Sequence, residues 1–121
     1  MIFIVDDDDS VRSSLVRLLR SEGFAAEAFA AAEDFLRDAR VTADSCVIID
    51  VHMPGMNGLE LQQELVRRRE LPRVIMITAY DDAETRRKAM EAGATTLLTK
   101  PFDNAKLLAA VSPTVGPHLQ P

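Results

Sequence analysis

Two apolar runs in this chain end directly on carboxylates. MIFIV (residues 1–5) enters four consecutive aspartates, Asp6, Asp7, Asp8 and Asp9, and CVII (residues 46–49) stops on Asp50. An uninterrupted run of β-branched and aromatic residues fits a strand covered on both faces, because a half-exposed strand would alternate apolar with polar. Strands of that kind belong to parallel sheets sandwiched between helices. The charge at their ends is costly, since two carboxylates about 4 Å apart repel by roughly 4 kcal/mol at the effective dielectric of a protein surface. Something must offset that repulsion, and its identity is a clue to function.

The rest of the chain alternates in the way a parallel sheet requires. Val11, Leu15, Leu18 and Leu19 recur at helical spacing; Asp9 or Ser10 is the expected cap with Asp8 simply solvated, Arg17 and Arg20 suit the end, and Gly23 is the stop. A weaker strand is expected over residues 24–29, then a short helix over 31–39 carried by Phe35 and Leu36. The strand 46–50 is followed by VHMPGMNG, turn chemistry in which Met53 and Met56 pack or meet a partner and Asn57 caps the next helix. Leu61, Leu65 and Val66 mark that helix, which must end before Pro72. RVIMIT (73–78) is a fourth strand. DDAETRRKAMEAG places acids before bases, as a helix dipole favours, but offers only Ala83, Ala89 and Met90 for packing, so that helix is expected to be loosely held. ATTLL (94–98) and DNAKLLAAV (103–111) supply a fifth strand and helix. Five βα units predict a doubly wound α/β fold with right-handed crossovers.

At 121 residues, 47% hydrophobic and 27% charged, the chain has the make-up of one globular domain. It divides into residues 1–111 and a tail, 112–121, whose three prolines and glycine read as an extended segment or the start of a linker. A net charge of −5 argues against a general nucleic-acid surface, and Arg67, Arg68 and Arg69 read as a solvated helix end. Cys46, the single cysteine, reads as a small buried hydrophobe. No apolar run approaches the ~18 residues of a membrane span, and the N-terminus lacks a signal-peptide pattern, so a cytoplasmic setting is expected.

In doubly wound sheets the ligand crevice lies beyond the carboxyl ends of the strands. That rule gathers Asp6, Asp7, Asp50, Thr78 and Lys100, each at the end of a predicted strand. Converging carboxylates without a histidine or cysteine set select a hard cation, Mg²⁺ before Mn²⁺ or Ca²⁺. Such an ion would relieve the repulsion. Lys100 and the Thr78 hydroxyl opposite suit the oxygens of a phosphoryl group, and the small Ala79 leaves room for its approach. Lys100 precedes Pro101, so that bond is a candidate for the cis form. His52 reads as an exposed loop imidazole rather than a side-chain ligand.

The segments IVDDDDSVR, VIIDVHMPGMNG, VIMITAY and TLLTKPF, in that order and spacing, resemble the receiver (CheY-like) domain of two-component response regulators, most closely the FixJ/NarL type, over residues 1–111. The resemblance implies a flavodoxin-like sheet of order 2-1-3-4-5, an order for which CheY is a standing example. It implies that Asp50 accepts a phosphoryl group from a phosphohistidine of a sensor histidine kinase. Asp7, Asp50 and the backbone carbonyl of His52 would bind Mg²⁺, with Asp6 assisting through water and Thr78 and Lys100 holding phosphoryl oxygens. Such a domain is a signalling module that catalyses only its own phosphorylation and slow dephosphorylation. The residues at the places of His52 and Tyr80 influence hydrolysis of the phosphoryl group. Many relatives carry a switching aromatic where this chain has Leu97. Receivers of this type commonly precede a helix-turn-helix DNA-binding domain, absent from this chain, and dimerise through the fourth helix and fifth strand.

Two rivals remain at this point. In a haloacid-dehalogenase-like Mg²⁺ phosphatase Asp6 would be the nucleophile and Asp8 the second acid, but Asp50 would have no task. In an interaction module that is never phosphorylated, the full set of strand-end residues would be idle.

Overall fold

The computed structural model describes residues 1–80 and 82–112. Ten elements follow one another as β1 (Ile2–Val5), α1 (Asp9–Ser21), β2 (Ala26–Phe29), α2 (Ala32–Asp38), β3 (Cys46–Asp50), α3 (Gly58–Arg67), β4 (Arg73–Thr78), α4 (Ala83–Glu91), β5 (Thr96–Thr99) and α5 (Asn104–Val111). The strands form one parallel sheet in the order β2-β1-β3-β4-β5. The expected doubly wound architecture is therefore present.

Successive strand residues feed two separate cores, which is why the strands read as unbroken apolar text. Phe3, Val5, Val47, Ile49, Val74 and Met76 face one core, filled by Phe35 of α2, Leu61 and Leu65 of α3 and Ala89 of α4. Ile2, Ile4, Ile48, Ile75 and Ile77 face the other, filled by Leu15 and Leu19 of α1 and Leu107 and Val111 of α5. Each fully buried side chain of this size contributes about 1.5–3 kcal/mol over its exposed state. Cys46 lies in the second core as a free thiol, and burial pushes its pKa up to about 11.

Several boundaries and faces differ from expectation. Asp8, not Asp9 or Ser10, caps α1: its carboxylate accepts the N–H groups of Ser10 (2.8 Å) and Val11 (3.1 Å). Asp9 stands in the first turn and pairs with Arg12. Residues 24 and 25 precede the strand, which starts at Ala26, because the Phe24 N–H donates to the Leu19 carbonyl in the turn that follows α1. The Ala94 N–H likewise donates to Ala89 O and closes α4, so β5 begins only at Thr96. Val66 is 47% exposed; the apolar face of α3 is completed instead by Gln62, which is buried. On α4, Ala83 and Met90 are exposed and Ala89 alone is buried.

Asn57 caps α3 in a reciprocal capping box with Glu60. Arg67 and Arg68 are tied to Glu64 at the other end of that helix. Met53 is buried in the first core and Met56 packs against it. Among the described residues, no helix is long and apolar enough to cross a membrane. Of the tail 112–121, all but Ser112 lies outside the described residues.

Candidate functional site

The strand register carries the site. Val5 pairs with Ile49, Asp50 with Ile77, and Thr78 with Thr99, so Asp6, Asp50, Thr78 and Lys100 all emerge at one edge of the sheet. Asp6 is fully buried, Asp50 is 4% exposed, and Asp7 points into solvent beside them. One carboxylate oxygen from each of the three lies within 4.8 Å of the others.

Lys100 closes the cluster. Its Nζ stands 3.1 Å from Asp6 Oδ2 and 3.5 Å from Asp50 Oδ2. The Lys100–Pro101 peptide is cis. Asp6 Oδ1 accepts the Asp8 N–H (2.9 Å), whereas Asp6 Oδ2 is buried without an aligned hydrogen bond and depends on the nearby ammonium. Asp50 Oδ1 accepts the His52 N–H (3.2 Å). Burial, and then the Asp6 carboxylate, push the Asp50 pKa up to about 6, against the opposing pull of Lys100 and the His52 N–H. Burial alone would lower the Lys100 ammonium, but Asp6 and Asp50 outweigh it and hold its pKa above the usual value. One lysine therefore holds two carboxylates that compete for it.

Thr78 is fully buried, and its hydroxyl is engaged elsewhere. Oγ1 donates to the Tyr80 carbonyl (3.2 Å) and accepts the Tyr80 N–H (3.0 Å). Tyr80 is exposed, and its ring meets the exposed His52 imidazole edge-on with centroids 5.1 Å apart. Ala79 is exposed between them. Leu97 is not at the mouth: it lies in the core shared with α3 and α4.

Two residues support the site without having been marked by the sequence reading. The Arg12 Nη1–H donates to the Asp6 carbonyl (2.8 Å) while Nη2 pairs with Asp9, bracing the loop between β1 and α1. Gly58 opens α3 against the end of β3, where an added Cβ would lie 2.5 Å from the Asp50 carbonyl oxygen. The signal for Arg12 was its place one helical turn after the acidic run; Gly58 stood in a motif read only as a turn.

The residues suit a hard divalent cation. The donors are carboxylate oxygens, and the buried anionic Asp6 Oδ2, paired with the Lys100 ammonium, accepts no aligned hydrogen bond among the described residues. A doubly wound fold with acids, a lysine and a threonine at its strand ends defines a domain able to hold a cation beside a phosphoryl-sized anion. The response regulator receiver domain pattern matches residues 2–112, and the chain belongs to that family. It is 44% identical to the transcriptional regulatory protein FixJ of Azorhizobium caulinodans over 95% of this chain and 54% of that protein. It is 40% identical to the response regulator protein TodT of Pseudomonas putida over 92% of this chain and 49% of that protein. The chain thus spans about half the length of these relatives.

Solved structures agree. The response regulator StyR superposes with a TM-score of 0.84 at 44% identity, covering 91% of this chain and 56% of that one. The BeF3-activated DrrB receiver domain gives 0.82 at 34%, covering 91% and 92%. This chain is a receiver domain of two-component response regulators, a family of signalling modules that use Mg²⁺ at an acidic pocket.

Proposed function

We propose that Asp50 is the phosphoacceptor, loaded from a phosphohistidine of a sensor histidine kinase with Mg²⁺ bound by Asp7, Asp50 and the His52 carbonyl and assisted by Asp6. The observation that carries this is the buried Asp50 carboxylate beside Lys100 and within 4.8 Å of the Asp6 and Asp7 carboxylate oxygens. When bound, Mg²⁺ supplies positive charge against which phosphoryl oxygens are neutralised. Asp50 attacks phosphorus, an O–P bond forms, and the P–N bond breaks with its electron pair passing to the imidazole, which takes up a proton. Lys100 holds an oxygen of the group. The Thr78 hydroxyl leaves the Tyr80 backbone for another, and Ala79 leaves space.

Releasing Tyr80 frees the loop before α4 and its ring contact with His52. Tyr80, rather than Leu97, is then the aromatic group that senses the site. Pro101 lines an open groove of about 540 Å³ between α1 and the start of α5, walled by Val11, Leu15, Leu18 and Phe102 and reaching Lys100. Residues 1–111 form the switching unit and 112–121 begin a linker. The similar FixJ is a transcriptional regulatory protein about twice as long as this chain, so a DNA-binding output domain is the expected target of the switch, and phosphorylation is expected to promote pairing through α4 and β5. The same reading has the chain work in the cytoplasm. It leaves no task for direct nucleic-acid or membrane contact by this domain.

The test is intact-mass spectrometry after incubation with acetyl phosphate. One phosphoryl group is expected with Mg²⁺ and none with EDTA. Uptake independent of the metal would overturn the proposal. The raised Asp50 pKa adds a pH dependence. A proton competes with the cation for that carboxylate, so Mg²⁺ affinity is expected to fall ~10-fold from pH 7 to pH 5, by titration calorimetry. Asp50 favours the metal-free fold most at low pH and loses that contribution as pH rises through about 6, so added Mg²⁺ raises the melting temperature more at pH 7 than at pH 5.

A further inference from the structure

Helix α4 is held unevenly. Ala89, its one buried residue, stands near its C-terminal end. Beyond it, the Gln62 Nε2–H of α3 donates to the Ala92 carbonyl at 3.0 Å, a bond across 30 residues that lands on the residue closing α4. Gln62 is 5% exposed. Its Nε2 is also packed against Gly93, where a Cβ would come within 3.0 Å and where φ is +106°. A side chain at position 93 would thus strain the backbone and press on the Gln62 amide. The N-terminal end of α4 is different. Ala83 is exposed, and the first turn is held by its own cap, the Asp82 carboxylate accepting the Thr85 N–H at 2.7 Å.

The other half of the Gln62 amide is not satisfied. Oε1 is buried and has no hydrogen-bond partner among the described residues. A buried acceptor left unpaired is costly, and an apolar residue of similar volume would avoid the cost. A glutamine here needs a reason beyond filling the core, and the bond to Ala92 supplies it.

We propose that Gln62 is the pivot of α4: it pins the C-terminal end of the helix to α3, so the helix swings from its N-terminal end, next to Thr78 and Tyr80. Gln62 is a positioning residue, bonded to Ala92 rather than to a site side chain, that converts a change at the loop into rotation rather than translation of the α4 surface. The switching arm of this inference rests on the phosphoacceptor reading; the pinning arm does not.

Both arms are read by amide hydrogen exchange and amide NMR shifts on the full chain. In the resting state, the amides of Ala92, Gly93 and Ala94 are expected to exchange at least 10-fold more slowly than those of Arg86 and Arg87. Gln62→Met, which keeps the volume and removes the bond, is expected to abolish that gradient while α1 and α5 keep their protection. Gln62→Asn, too short to reach Ala92, serves as a second variant should the first disturb the core. After phosphorylation, shifts in the native chain are expected at residues 83–87 and not at 92–94; in Gln62→Met they spread to 92–94. A bond that merely stabilised the fold would lower the melting temperature and leave that pattern unchanged. Uniform exchange along resting α4, or equal phosphorylation shifts at both of its ends, would overturn the pivot. Failure to gain phosphoryl mass would instead sink the phosphoacceptor reading, and the resting gradient would still decide the pin.

Discussion

Asp50→Asn is expected to abolish phosphoryl uptake, by a factor on the order of 10³ or more, while the protein stays folded. The substitution keeps the shape of the side chain and removes the anionic oxygen that would attack phosphorus. It also removes one of the two carboxylates competing for Lys100, leaving Asp6 with the whole ammonium 3.1 Å away. Because burial and Asp6 already disfavour the charged form of Asp50, its neutralisation relieves a cost. The melting temperature without metal should therefore hold or rise at neutral pH. Intact-mass spectrometry with acetyl phosphate and Mg²⁺ reads the first effect, thermal melting the second. Uptake that persists in Asp50→Asn but vanishes in Asp6→Asn would transfer the nucleophile to Asp6 and revive the phosphatase alternative. Loss of uptake with an intact fold leaves Asp50 as the acceptor.

The architecture was legible because burial on two faces writes itself plainly. Strands such as IFIV and VIMI must be apolar throughout when alternate residues enter different cores. The gathering of Asp6, Asp50, Thr78 and Lys100 followed from the same fact, since parallel strands in register share one carboxyl edge. What could not be read were choices between chemically equal neighbours. Asp8 and Asp9 are the same residue type, and only the direction in which the chain leaves β1 decides which of them reaches the Ser10 and Val11 amides. Val66, expected on the apolar face, is exposed and Gln62 is buried because the apolar arc of α3 depends on its rotation about its axis, which hydrophobicity alone mis-set. The engagement of Thr78 with the Tyr80 backbone belongs to the β4–α4 loop conformation and has no signature in residue types.

Gly58→Ala is expected to lower the melting temperature by roughly 5–20 °C, from an overpacking cost of about 1–3 kcal/mol. The reason is space, not backbone freedom. The new methyl would stand 2.5 Å from the Asp50 carbonyl oxygen, 2.9 Å from Ile49 Cγ2 and 2.9 Å from Val51 Cα. Two of these three are backbone atoms of the strand end, held by the bond from the Val51 N–H to Ile77 O and by the pairing of Asp50 with Ile77. Either α3 must retreat, breaking the Gly58 N–H bond to Val51 O, or the strand end must shift and carry the Asp50 carboxylate with it. The first route costs stability and the second costs the site, so phosphoryl uptake should also fall, by about 10-fold or more for a displacement approaching 1 Å. Gly55→Ala separates the causes. At φ +73° it pays a conformational cost of ~1 kcal/mol, but its Cβ would meet only the Glu33 carboxylate, at 3.4 Å. It should melt slightly earlier and take up phosphoryl groups normally. If Gly58→Ala behaved like Gly55→Ala in both measurements, the close seating of α3 on β3 could not be what fixes Asp50 against Lys100. If uptake falls in Gly58→Ala alone, the start of α3 sets the position of the Asp50 carboxylate.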